Sequence, residues 1–311
     1  MAKAASRRTT GSRTDRADSP DVQAADSPHP YRLTRVGVRG VKKPVTVHRP
    51  GQKASAVVAT FDLFVDLPKT QKGTHMSRNL EALADILDDE VAKEAPSLEN
   101  LCRRLALRLL EKHDYASHAH IKAEADYFLT RKNPGGKPSV ENYRLLAEAE
   151  AFRGKGTAKP RTSRRVGVQV VGMSACPCAM ETVRHKLAGE GHRLSAALPF
   201  ITHNQRNRVT LAIEVPGEAD IEAADLVQVC EDSLSAPTFE LLKRGDEGDL
   251  VLQAHHNPRF VEDVVREVLH KAAARYRALG EDIRVFVSSE AEESIHKHNA
   301  YAERTTTFGD L

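Results

Sequence analysis

The sequence has no long apolar run and no tryptophan, and only 5% of its residues are aromatic. Because no stretch approaches the roughly 18 consecutive apolar residues of a membrane-spanning helix, the composition argues against an integral membrane protein. The opening segment MAKAASRRTTGSRTDRADSPD carries charge but no apolar core, so it does not resemble a secretory signal. These absences predict a protein of the cytoplasm.

A strong excess of one charge is also missing, since 46 Lys and Arg residues oppose 43 Asp and Glu residues and leave a net charge of +3. A nucleic-acid-binding protein needs a basic face, and this scattered charge makes no case for one. Four cysteines in a chain of 311 residues do not form a disulfide framework. Two of them, Cys176 and Cys178, flank Pro177, which indicates a metal site or chemistry; the alternative is a pair of small buried thiols.

The domain organisation follows from composition and repetition. Residues 1–30 are rich in Ser, Asp, Arg, Ala and Pro and poor in large apolar groups, so we expect a disordered tail. The remainder repeats a strand–strand–helix–helix–strand–strand pattern over 31–160 and again over 161–311, with a polar linker at 154–165. This predicts an α+β fold of two tandem modules of antiparallel sheet, with helices on one face.

Hydrophobic periodicity places the elements within these modules. Ala59, Phe61 and Leu63 alternate with less apolar neighbours, which is typical of a half-buried strand, and Ser97 is a good N-cap for an amphipathic helix. Leu80, Leu83, Ile86 and Leu87 are expected on one face of the preceding helix. The helix that begins at Ser97 and the helix 260–279 are also expected to bury one apolar face each: Leu98, Leu101, Cys102, Leu105 and Leu109 in the first, and Val261, Val264, Val265, Val268, Leu269, Ala272 and Tyr276 in the second. The expected strands are 36–48, 56–67, 116–131, 142–153, 166–172, 208–215 and 282–289, and the expected helices begin near Ser77, begin at Ser97, and cover 221–234 and 260–279.

Four polar clusters are candidates for chemistry: Cys176–Cys178 just after a strand, His203–Arg206 before a strand, the charged run Lys243–Glu247, and the histidine pair His296 and His298. Each has a simpler explanation, such as a structural histidine or a solvated turn. Thiolate, imidazole and carboxylate together suit zinc or another divalent transition metal. The two histidines, two residues apart, would point the same way in extended chain and line one cavity.

Six short motifs then occur in a characteristic order: GTHMSR (Gly73–Arg78), SACPCA (Ser174–Ala179), THNQR (Thr202–Arg206), LLKRGDE (Leu241–Glu247), FVEDVVR (Phe260–Arg266) and ESIHKHNAYAE (Glu293–Glu303). In this order they resemble the type IB GTP cyclohydrolases over nearly the whole chain from about residue 35. The resemblance extends to the archaeal sister branch, which makes a cyclic-phosphate pterin. It implies the tunnelling fold, with two modules per chain closed into an oligomeric barrel, and a homotetramer with active sites between subunits.

The resemblance also implies a set of site residues. The metal would be held by Cys176, His203, Glu247 and His296, and the metal itself stays open between zinc, manganese and iron(II). Cys176 is either a pure ligand or also catalytic, and His298 is a candidate proton carrier because imidazole exchanges protons near neutral pH. Glu262 matches the family's anchor for the purine edge. The cations available for the triphosphate include His75, Arg78, Arg206, Lys243 and Arg244.

The implied reaction is hydrolytic opening of the guanine imidazole ring of GTP with release of formate, which gives 7,8-dihydroneopterin triphosphate, the first step of folate and pterin biosynthesis. Ala179 stands where bacterial members usually have serine, and the stretch 180–201 is longer than theirs, as in archaeal members. The product therefore stays open towards 7,8-dihydroneopterin 2',3'-cyclic phosphate. Two rivals are a non-catalytic metal-binding module of the same fold and an aldolase- or reductase-like relative.

Overall fold

The computed structural model describes residues 21–47, 55–93, 96–154, 156, 158–193, 195 and 198–311. In chain order its elements are β1 (Leu33–Val47), β2 (Ser55–Leu67), α1 (Met76–Lys93), α2 (Leu98–Lys112), β3 (His118–Lys132), β4 (Pro138–Phe152), β5 (Arg161–Ala175), α3 (Pro177–Gly189), β6 (Asn204–Glu214), α4 (Ala223–Glu231), β7 (Ala236–Pro237), α5 (Arg244–His256), α6 (Val261–Tyr276), β8 (Arg284–Ala291) and β9 (Ala300–Thr307). Within these described residues, no helix has both the length and the apolar character needed to cross a bilayer.

The nine strands found in the described residues belong to one antiparallel sheet, in the order β1-β2-β3-β4-β5-β6-β8-β9, with the short β7 paired to β5. Strands β4 and β5 pair continuously from Arg144↔Gln169 to Phe152↔Arg161. The predicted fold class, a tunnelling fold of two tandem modules closed into an oligomeric barrel, is therefore wrong: the described strands form a single open sheet that runs without a break through the supposed module boundary. The reason is that β5 already begins at Arg161, inside the segment taken for a linker.

Period-two alternation builds the sheet, and the expectation for β2 is confirmed, because Ala59, Phe61 and Leu63 are fully buried. Helices α1, α2, α4 and α6 contribute to one continuous core with the inward face of the sheet. The expected faces of α2 and α6 are confirmed, and the Ser97 side chain does accept a hydrogen bond from Asn100 N, at 3.4 Å. Leu80 differs and is 46% exposed, because the buried stripe of α1 runs instead through Asn79, Ala82, Leu83 and Ile86.

Four elements have no counterpart among the expectations: α3 directly after Cys176, the two-residue strand β7, α5 in place of a charged turn, and the edge strand β9. Of the tail predicted at 1–30, residues 1–20 lie outside the described residues, while 21–25 hydrogen-bond to the segment before α1. The division into units 31–160 and 161–311 stays a prediction.

Strand register defines two ends of the sheet. At the first, β5 ends beside the start of β6 (Ala175↔Asn204), and β8 ends beside the start of β9 (Ala291↔Ala300). We call this the Cys176 end. At the other, β2 ends while β3 and β5 begin, and the loop to α1 follows; we call this the His75 end. Since β5 has 15 residues, the ends are on the order of 45 Å apart at about 3.3 Å per residue.

Candidate active site

Cys176 is fixed at the junction of β5 and α3. Its side chain is the N-cap of α3 and accepts a hydrogen bond from Ala179 N at 3.4 Å, while Pro177 occupies the first helical position, where a missing N–H costs nothing. Its backbone N donates to His203 O at 3.1 Å, and its carbonyl accepts from Thr202 Oγ1 at 2.7 Å. The thiol is half-buried and forms no disulfide. The fold thus holds this cysteine rigidly beside His203.

His203 presents one ring nitrogen to the protein. Its Nδ1 lies 3.0 Å from Gln205 Oε1 and 3.6 Å from Glu293 Oε2, and the His203 and Glu293 side chains are each 11% exposed. A histidine that ligates a metal through Nε2 characteristically gives its Nδ1–H to an amide or carboxylate oxygen. The ring is therefore oriented as a metal ligand would be.

Glu293 is the residue that sequence reasoning missed. Its Oε2 is buried and has no hydrogen-bond partner among the described residues, so a carboxylate oxygen faces the space beside His203. A buried carboxylate oxygen without a hydrogen bond is costly, and the His203 ring, with Nδ1 at 3.6 Å, is the cationic partner that the described residues offer it. The available signal was its position at the head of the ESIHKHNAYAE motif.

His296 and His298 lie in the connection between β8 and β9, also at the Cys176 end. Both are exposed, and their rings stack with centroids 5.2 Å apart. Glu292 N donates to Arg206 O at 2.8 Å, which ties the start of this connection to β6, the strand that directly follows His203. The histidine pair therefore lies in a connection whose first residues are held against β6.

Glu247, Lys243 and Arg244 stand at the start of α5, and all three are exposed. Helix α5 packs through Leu250 and Ala254 into a small apolar cluster with Met173 of β5. Because Met173 is three residues before Cys176, this packing brings α5 to the same end of the sheet. Sequence reasoning placed these charges in a turn, whereas they form the first turn of a helix.

The donor types fit a divalent transition metal, but they are only partly gathered. Cys176 and His203 are neighbours, yet among the described residues no three His, Cys, Asp or Glu side chains are close enough together to hold a metal ion. The set of Cys176, His203, Glu247 and His296 therefore stays a prediction.

Glu262 lies on the first turn of α6, which is tied to the same end by a hydrogen bond from Arg259 N to Ala175 O of 3.0 Å. Its exposed side chain lines a cleft of about 500 Å³ between α6 and β9. Arg266, Leu269 and Ala302 also line this cleft, so it combines apolar walls with charged groups. Such a cleft can accept a planar base with a polar edge.

His75 and Arg78 are not brought to the other site residues. They lie at the His75 end, where Arg78 Nη1 donates to Lys112 O at 3.2 Å and His75 Nε2 lies 3.0 Å from both carboxylate oxygens of Asp21. Within one chain, the length of the sheet separates this end from Cys176. The arrangement of one protomer therefore does not contain all the residues that the motifs nominate.

A buried series of hydrogen-bonded polar side chains stabilises the His75 end of the sheet. Thr74 Oγ1 lies 2.5 Å from Tyr115 OH, which lies 2.7 Å from His113 Nδ1, and His113 Nε2 lies 2.6 Å from Asn79 Oδ1. Burial, followed by the positive charge of Arg78, lowers the pKa of His113 to about 4. The imidazole is therefore neutral at physiological pH and serves as a structural link between α1 and α2.

Comparison with known proteins identifies the protein family. The sequence model of the family described as GCHY-1, type I GTP cyclohydrolase folE2, matches residues 19–302. The chain belongs to this family of type I GTP cyclohydrolases.

Its relatives include archaeal proteins that align with it over nearly their whole length. It is 39% identical over 302 residues to the GTP cyclohydrolase MptA of Methanobrevibacter smithii, covering 94% of this chain and 96% of that one. It is 41% identical over 302 residues to the GTP cyclohydrolase MptA of Methanothermobacter thermautotrophicus, covering 94% of each. Among solved structures, uricase from Arthrobacter globiformis superposes with a TM-score of 0.51 at 10% identity, over 88% of this chain and 93% of that chain, which shows a likeness of fold alone.

Proposed function

We propose that this chain hydrolyses GTP at the guanine imidazole ring and releases formate. The observation that carries the proposal is the paired placement of Cys176 and His203 in a chain that belongs to the type I GTP cyclohydrolases. The pair is held by hydrogen bonds from Cys176 N to His203 O and from Thr202 Oγ1 to Cys176 O. Curated relatives named GTP cyclohydrolase align over 94% of the chain, so the proposal covers the whole protein.

We infer that the site takes a divalent transition metal, either zinc, manganese or iron(II). Cys176, His203, Glu247 and His296 would hold it, with Gln205 and Glu293 orienting the His203 ring. When bound, such a metal lowers the pKa of a water molecule to about 7 and so supplies a nucleophile at neutral pH. The half-buried position of Cys176 keeps its thiol accessible.

Glu262 recognises the base in this proposal. A carboxylate can accept two hydrogen bonds, from the guanine N1–H and the 2-amino group, and the apolar wall of the cleft offers Leu269 and Ala302 to the ring faces. His298 lies on the β8–β9 connection, just before β9, the strand that lines the cleft. There it can carry a proton to the opening ring.

The triphosphate is met by cations from more than one chain. Arg206, Lys243 and Arg244 belong to the Cys176 end, whereas Arg78 and the loop of His75 lie at the far end of the same sheet. Because a single protomer cannot close that gap, we propose a symmetric homotetramer with active sites between subunits. The two exposed sheet edges, β1 and β9, are surfaces that such an assembly can cover.

The product that we propose is 7,8-dihydroneopterin triphosphate, which enters folate and pterin biosynthesis in the cytoplasm. The four unpaired cysteines suit that reducing compartment. The cyclic phosphate is the second candidate, and it is favoured by the archaeal origin of the relatives and by Ala179 in the first turn of α3.

A mass spectrum of the product tests both statements. The protein is incubated with GTP and each of the three metals in turn, and the nucleotide fraction is analysed. Loss of one carbon as formate with retention of all three phosphates is expected; a mass corresponding to a cyclic monophosphate would establish the second candidate. Unchanged GTP with every metal would refute the proposed activity.

A further inference from the structure

The segment 21–25 is bound to the loop that precedes α1, although its composition predicts disorder. Lys72 N donates to Ala25 O at 2.9 Å, and Gly73 N donates to Gln23 O at 3.1 Å. The two segments run antiparallel, because the residue number rises on one as it falls on the other. Residues 21–25 therefore form a short clamp on the loop 71–75.

Asp21 closes this clamp. Its carboxylate accepts from Ala24 N at 3.1 Å, which fixes its own position, and both of its oxygens lie 3.0 Å from His75 Nε2. The backbone hydrogen bond from Ala24 and the one to His75 hold the pKa of Asp21 below its usual value, so it is an anion at neutral pH. The contact is a charge-assisted latch between the clamp and the loop.

Neither nitrogen of the His75 ring is open to a ligand from solvent. Nε2 faces Asp21, while Nδ1 is buried and has no hydrogen-bond partner among the described residues. The ring thus offers no nitrogen to a phosphate from outside. The His75 carbonyl accepts from Arg78 N at 3.0 Å, so the held residue also sets the start of α1 and the position of Arg78.

We propose that Asp21 is a positioning residue, which latches residues 21–25 onto His75 and so fixes Lys72 and Arg78 where they meet the triphosphate. This inference rests on the proposed function, because it assigns the loop to GTP. The match of the family model begins at residue 19, which places the clamp within the part of the chain that the family shares. His75 then acts as the latch and not as a phosphate ligand.

The kinetic test compares three full-length variants with the metal-loaded wild type. Asp21→Ala is expected to raise KM for GTP by about two- to fivefold, the range for an exposed charged pair, with kcat unchanged within about twofold. Asp21→Asn keeps an acceptor oxygen for the His75 N–H and should recover part of the loss. Asp26→Ala is the matched control, because it removes the carboxylate directly after the clamp without removing any contact found within the described part of the chain.

A double variant separates positioning from general destabilisation. If Asp21 acts through His75, Asp21→Ala adds nothing to the rise in KM already caused by His75→Ala. Additive effects would overturn the latch. If the wild type turns over GTP and the KM of Asp21→Ala equals that of Asp26→Ala, the inference is overturned while the proposed function stands.

Amide hydrogen exchange tests the clamp without any activity. Exchange at Lys72 and Gly73 should be slow in the wild type and in a chain lacking residues 1–20, and several-fold faster in a chain lacking residues 1–26 and in Asp21→Ala. Equal exchange in all four proteins would show that the clamp does not hold the loop. If the wild type failed to turn over GTP, the proposed function would fall, while this exchange pattern would still decide whether the clamp exists.

Discussion

Replacing Cys176 with serine separates its role as a helix cap from its role in chemistry. The cysteine side chain caps α3 through a long hydrogen bond of 3.4 Å to Ala179 N, and serine is among the preferred N-cap residues. The metal-free Ser variant should therefore be as stable as the wild type. Alanine removes the cap and should cost at most about 1 kcal/mol, or roughly 1.5 °C in Tm for a chain of 311 residues.

The chemical consequence should be far larger than this stability effect. A neutral hydroxyl is a much poorer ligand than a thiolate for a transition metal, so we expect Cys176→Ser to lose bound metal and turnover to below about 1% of wild type. The assay pairs elemental analysis with formate release, alongside thermal denaturation with chelator. Cys178→Ser is the matched control, since it changes an exposed thiol of the same motif and should keep metal and activity. A Cys176→Ser protein that retained both would refute the assignment.

Three further outcomes follow from the structure. Glu262→Gln should raise KM or lower kcat for GTP by about ten- to hundredfold with metal content unchanged, as kinetics and elemental analysis would show; lost metal would mean that Glu262 is a ligand. His113 has a pKa lowered to about 4, so the unfolded chain binds the extra proton between about pH 6.5 and 4. The unfolding free energy should therefore fall over that range by at most about 3 kcal/mol, and His113→Gln should flatten the dependence in denaturant titrations; an unchanged slope would contradict this. Co-expressed Cys176→Ala and Arg78→Ala chains should regain about one quarter of wild-type turnover if sites are shared between subunits, and none if each chain acts alone.

Apolar periodicity was sufficient for the elements with a strong buried face. The alternation in β2 and the stripe from Val261 to Tyr276 in α6 were predicted correctly because burial alone dictates them. Helix α3 was not predicted because Met180 is its only buried residue within the described chain, so it has no apolar stripe. Helix α5 was not predicted because two glycines and a charged first turn obscure the short apolar face formed by Leu250 and Ala254.

The linker predicted at 154–165 differs from the structure for another reason, because β5 begins inside it, at Arg161. The start of β5 is rich in arginine, which hid a strand, yet Arg164 is buried and its guanidinium donates to Gly217 O at 2.9 Å and to Ala219 O at 2.6 Å. Long-range partners of this kind leave no local pattern in the sequence. Without knowledge of these long-range hydrogen bonds, the sequence pattern of one continuous sheet cannot be told from that of two modules.

For the site, the order of the motifs brought out Cys176 and His203, which the structure places side by side. The separation of His75 and Arg78 from them depends on strand register accumulated across β2 to β5, which no single motif contains. Glu293 and the Asp21 latch are likewise tertiary contacts, made by residues whose own neighbourhoods look like ordinary polar sequence.

The central claim is most directly tested by following carbon 8 of the base. The metal-loaded protein is incubated with GTP that carries ¹³C at that position, and the solution is monitored by NMR. We expect one equivalent of ¹³C-formate per GTP consumed, and we expect chelator and Cys176→Ser, but not Cys178→Ser, to abolish its release. Consumption of GTP with the label retained in the nucleotide, or formate release that survives in Cys176→Ser, would contradict the central claim.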